Sequence, residues 1–88
     1  MPGFVLLVRP RGDADPGMRV GYTVTRKIGG AVIRNRMKRR LRELARTLLP
    51  QAGIPGADHV FIGRNGGIDR DFGMLRQEMF KALARAAR

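Results

Sequence analysis

The chain has 88 residues, 43% of them hydrophobic, and its eighteen lysines and arginines outweigh seven acids to leave a net charge of +11. That length suits one domain, spanning 1–88, with one modest core, and that charge attracts polyanions, nucleic acid ahead of an anionic membrane surface. No apolar run approaches the ~20 residues that cross a bilayer and the N-terminus lacks a signal-peptide layout, so a soluble, cytoplasmic protein is expected; the absence of cysteine excludes disulfides, thiolate zinc sites and a cysteine nucleophile.

Phe4-Val5-Leu6-Leu7-Val8 is a short β-branched and aromatic run closed by Pro10 and a turn-rich stretch from Gly12 to Gly17, which predicts a buried strand. Met18 to Thr25 alternates, with Met18, Val20, Tyr22 and Val24 on one face, and predicts a second strand. The short connection makes it the expected hairpin partner of the first. Gly29-Gly30 breaks the pattern, and Ile33, Met37, Leu41, Leu44 and Leu48 then follow at steps of three and four, the mark of an amphipathic helix. Pro50, Gly53, Pro55 and Gly56 are expected to end it.

Val60-Phe61-Ile62 predicts a third strand and Gly66-Gly67 a turn, after which Asp69 or Asp71 can cap a last helix with Phe72, Leu75, Met79 and Leu83 on its apolar side. The fold class expected is α+β: a small mixed β-sheet, a basic helix in a strand-helix-strand crossover, and a C-terminal helix. Such crossovers are normally right-handed.

Nine of the eighteen cations, Arg26, Lys27, Arg34, Arg36, Lys38, Arg39, Arg40, Arg42 and Arg46, lie in the first helix or just ahead of it, opposed there only by Glu43. At about 100° per residue, Asn35, Arg39, Arg42 and Arg46 point away from the apolar stripe. Arg34, Arg36 and Lys38 flank them, and Arg40 falls nearest the stripe, where a partly structural role is expected. A run of charge is ordinarily a solvated face. Solvated helices, however, interleave opposite charges at i,i+4, for about 0.2–0.5 kcal/mol per pair, whereas Arg34, Lys38, Arg42 and Arg46 stack like charges at a similar cost. An external polyanion would relieve that repulsion, and arginine's planar fork suits phosphate and unpaired bases. Lys27-Ile28-Gly29-Gly30 leads into the helix, so free N–H groups and the positive dipole end add to the phosphate site.

The continuous stretch from Arg19-Val20-Gly21 through Thr25-Arg26-Lys27-Ile28-Gly29-Gly30 to Arg34-Asn35-Arg36-Met37-Lys38-Arg39-Arg40-Leu41-Arg42-Glu43 closely resembles the signature of the bacterial ribonuclease P protein component. Weaker agreement extends through Phe4-Val5-Leu6, Val60 to Arg64 and the last helix. The resemblance implies the accessory subunit of an RNA enzyme that removes the 5′ leader of precursor tRNA. The chemistry, with Mg2+ held mainly by the RNA, belongs to the RNA, and the protein has no catalytic or metal-binding residues of its own. The implied partners are ribonuclease P RNA and precursor tRNA, with no membrane. Arg34 and Asn35 are then expected at the leader; Arg36, Lys38, Arg39 and Arg42 at catalytic RNA or leader phosphate; and Arg26 and Lys27 at the basic pair before the glycine loop, with Arg46 extending the same face. The family also places this helix in a left-handed crossover, against the general expectation.

Family members ordinarily carry a helix and a short strand ahead of the equivalent of Phe4, which this sequence lacks, and Leu7 occupies a position that is often aromatic. A sheet without that helix exposes apolar surface or an open edge, so a homodimer or an exchanged element is expected. Tyr22 is a candidate for stacking on a leader base, against a core role sought by its ring. Candidate catalytic groups read more simply as structure: Asp13 and Asp15 as turn residues, Asp69 and Asp71 as caps, and His59 as a structural or surface histidine. A structural RNA-binding protein of ribosomal type is the alternative function, and peripheral membrane binding through the basic helix a further one.

Overall fold

The computed structural model describes residues 3–65 and 68–87. Along the chain run β1 (Phe4–Pro10), β2 (Arg19–Thr23), α1 (Ala31–Ala52), β3 (Ala57–Gly63) and α2 (Phe72–Ala86). All five expected elements are present. The turn expected at Gly66-Gly67 lies outside the described residues.

The pairing differs from the expected hairpin. The sheet order is β1-β3-β2, with β1 antiparallel to β3 through Leu6↔Phe61 and β2 parallel to β3 through Tyr22↔Phe61. The cause is in the connection. Arg11 donates its backbone N–H to the Gly56 carbonyl at 3.1 Å and Gly56 donates its own to the Pro16 carbonyl at 2.9 Å, which carries the loop across the entry to β3 and sets β1 and β2 on either side of it. Gly56 makes that turn at φ +73°, a left-handed conformation that favours glycine. The parallel β2–β3 pair in turn requires a crossover, which α1 supplies.

Burial alternates strictly along β3, with Ala57, His59, Phe61 and Gly63 buried. That face receives both helices. Met37, Leu41, Leu44 and Leu48 of α1 meet Leu75, Met79 and Leu83 of α2 over Phe4, Phe61 and Val24 in one hydrophobic cluster. The opposite face carries Val5, Leu7, Val60 and Ile62, cross-strand neighbours by register and alternation. No described element lies over it, and Leu7 is 53% exposed.

The helix α1 continues two residues past Pro50. Proline removes one backbone donor, but Pro50 sits on the exposed side of the last turn, where the carbonyl it leaves without a donor is open to solvent. Gly53 closes the helix by donating its N–H to the Leu49 carbonyl at 2.8 Å. At the start of α2, Asp71 and not Asp69 is the cap, its Oδ2 accepting the Met74 N–H at 3.2 Å. Phe72, expected in the core, is 39% exposed, and the Arg40 guanidinium lies 5.6 Å from its ring centre. Arg40 also donates to the Arg70 carbonyl, so this cation joins α1 to the approach to α2, the structural role its angular position implies.

Candidate nucleic-acid interface

A turn precedes α1, with the Ile28 N–H donating to the Thr25 carbonyl at 3.0 Å and the Gly29 N–H to the Arg26 carbonyl at 3.2 Å. It holds Arg26 and Lys27 exposed beside the helix start. Gly30 caps the helix without a side chain, and no acid stands in the first turn, so the positive end of the helix dipole is left uncompensated by carboxylate. Val32 is 83% exposed there, apolar surface next to the cationic residues.

Along α1, Asn35, Arg36, Arg39, Arg42 and Arg46 are exposed, while Arg34 and Lys38 are half-buried on the flank. From Arg34 to Arg46 the helix rises about 18 Å. These residues therefore form one cationic ridge, continued by Arg26 and Lys27 at its N-terminal end. The ion pairs found among the described residues lie elsewhere: Arg11 with Asp13 at 3.2 Å and Asp58 at 3.4 Å, and Arg70 with Glu78 at 2.8 Å. Glu43, the acid carried by α1, is exposed and makes no ion pair there, so the ridge cations have no carboxylate partner among the described residues. The Arg34 Nε is buried and unpartnered.

Tyr22 reaches the ridge from below. Its ring stacks on Phe61 with centroids 5.9 Å apart and planes 16° from parallel. The Arg42 guanidinium lies 5.8 Å from the ring centre. Burial raises the Tyr22 phenol above its ordinary pKa, while the charges of Arg42 and Arg46 pull the other way. Arg42 thus neighbours the ring that the sequence offers as a stacking surface. Sequence periodicity placed both residues on the correct elements but carried no sign of their contact, since a strand and a helix meet here through tertiary packing.

His59 is fully buried and its Nε2 accepts the Ile54 N–H at 3.1 Å, a structural tie across the entry to β3. Arg11 was not singled out by the sequence, yet its side chain also donates to the Asp15 carbonyl at 3.0 Å and the Gly17 carbonyl at 2.6 Å. Asp13 and Asp15 serve the same loop, Asp15 accepting the Gly17 N–H at 2.9 Å. Among the described residues no three histidines or acids gather as metal ligands, and no helix is long and apolar enough to cross a membrane.

Similarity to known proteins runs over the same residues. The family model for ribonuclease P matches residues 1–87. The ribonuclease P protein component of Erythrobacter litoralis is 61% identical over 97% of this chain and 69% of its own length; that of Caulobacter vibrioides is 53% identical over 86% of this chain, which spans about half (51%) of that relative. The solved structure of the ribonuclease P protein from Thermotoga maritima superposes with a TM-score of 0.78 at 35% identity, covering 93% of this chain and 76% of that one. With the sheet, the crossover helix and its cationic ridge inside the matched span, the chain belongs to the ribonuclease P protein family.

Proposed function

We propose that this chain is the accessory protein subunit of ribonuclease P, a cytoplasmic protein that grips the catalytic RNA and the 5′ leader of precursor tRNA so that the RNA performs magnesium-dependent 5′ maturation. The observation that carries this reading is the ridge on α1, whose cations outnumber its one acid, Glu43, and have no carboxylate partner among the described residues. Phosphate is the partner that such a surface lacks, and arginine binds it through paired donors.

In this reading Arg34 and Asn35 approach the leader, and Arg36, Lys38, Arg39, Arg42 and Arg46 hold phosphates of the catalytic RNA or of the leader. Arg26 and Lys27 extend the grip past the helix start. A leader base that stacks on Tyr22 competes with Arg42 for the ring. Magnesium supplies its chemistry on the RNA: Asp13 and Asp58 are tied to Arg11 and Glu78 to Arg70, and among the described residues no three acids or histidines gather to hold the ion. The bare sheet face around Leu7 supports self-association in concentrated solution. Family membership leaves the ribosomal-type alternative without support.

The test is cleavage of precursor tRNA by a bacterial ribonuclease P RNA at limiting magnesium, with and without the chain. Stimulation by the wild type that is lost in Arg34→Ala/Arg36→Ala is expected. Tight RNA binding with no stimulation would count against the assignment.

A further inference from the structure

The ridge arginines differ in how they are held. Arg39 and Arg46 stand exposed with no hydrogen bond or ion pair among the described residues, whereas Arg42 rests on an aromatic column that begins in the core. Phe4 meets Phe61 edge-on with centroids 5.7 Å apart and planes at 64°. Phe61, fully buried, carries the Tyr22 ring, and the Tyr22 ring carries the Arg42 guanidinium.

Building on the reading above, we propose that Tyr22 is a positioning residue for RNA recognition: it acts through Arg42, holding the guanidinium ready for a backbone phosphate, and does not itself stack on a base. Attraction of a cation to a ring face spends none of the guanidinium's N–H donors, so Arg42 is oriented while all five remain for phosphate. A long side chain that is already ordered loses less freedom on binding than one that must be frozen by its ligand. Phe61 makes the arrangement stiff, because a ring stacked on a fully buried neighbour has little room to tilt. Phe61 stacks on the Tyr22 ring and the Arg42 guanidinium lies over it, so a base would have to compete with Arg42 for the ring.

The experiment is a double-mutant cycle on affinity for a bacterial ribonuclease P RNA, with Tyr22→Leu, Arg42→Ala and the pair, and with Tyr22→Phe as the conservative control. Tyr22→Leu is expected to weaken binding about three- to tenfold in the wild-type background and to have no further effect in Arg42→Ala. Tyr22→Phe, which keeps the ring face, is expected to bind as the wild type. An equal loss from Tyr22→Leu in both backgrounds would show the ring touching RNA directly, and no loss in either would show it idle; both overturn the proposal. Should Tyr22→Leu fail to fold, the single tyrosine of the chain gives a second measurement: its ring proton resonances must shift between wild type and Arg42→Ala, and unchanged resonances overturn the proposal. A wild-type chain that does not bind the RNA defeats the functional reading itself, whereas wild-type binding with additive variants defeats this inference alone.

Discussion

Arg11 and the ridge arginines show how the same side chain is put to opposite uses by its neighbours. Arg11 is 8% exposed at its side chain and bonded to two carboxylates and two carbonyls, so its charge is consumed inside the fold. Its hydrogen bond to Asp13, aided by the positive charges of Arg11 and Arg19, holds the Asp13 carboxyl below its ordinary 3.8. A carboxylate with a lowered folded pKa contributes stability that is present above the unfolded value and is lost as pH falls through the folded one. Urea unfolding followed from neutral pH to below about pH 4 should therefore show a steeper acid loss for the wild type than for Asp13→Asn; parallel curves would remove this pair from the stability of the loop. The sequence showed Asp13 and Asp15 as turn residues from their local company of glycine and proline. It could not show Arg11 as the hub, because one of its partners, Asp58, lies 47 residues away.

At the scale of elements, α1 was the most legible part, since its apolar stripe and its charges obey one period and the stripe became the buried face from Met37 to Leu48. Its end was less so: proline at an exposed position of a last turn leaves the freed carbonyl open to solvent, and the pattern of residues does not say which side of the turn faces water. The strand pairing was illegible for another reason. Alternation assigns faces but is indifferent to neighbours, and Leu6 opposite Phe61 satisfies it as well as a β1–β2 hairpin would. The close packing of α1 on β3 yields a sharper expectation. A Cβ on Gly63 would stand 2.9 Å from the Met37 Cγ and 3.1 Å from the Val24 Cγ2, and both side chains are buried. Gly63→Ala should destabilise the fold by about 1–3 kcal/mol through overpacking, seen as a lower urea midpoint with the RNA affinity of the folded chain unchanged. An unshifted midpoint would mean that Met37 yields at no cost.

Across the whole molecule, the two faces of the sheet divide the labour. The inner one builds the core under both helices, and the ridge is carried on the far side of α1 from that core. The outer one leaves Leu7 exposed between Val5 and the Val60–Ile62 pair. If that face drives self-association, the mass seen by light scattering should rise with concentration, and Leu7→Lys should abolish the rise; a mass independent of concentration would show that the net charge of +11 keeps the chains apart. The position of β3 has its own consequence in the cell. The middle strand of the sheet is the last of the three to be synthesised, so on the ribosome β1 and β2 lack their native neighbour until residues 57–63 emerge. At roughly 5–20 residues per second, the stretch from Arg46 to the end of β3 takes about one to three seconds to follow, so the whole arginine-rich segment stands outside the tunnel for that time before the strand that fixes its support emerges, a cationic and unanchored polypeptide beside ribosomal RNA.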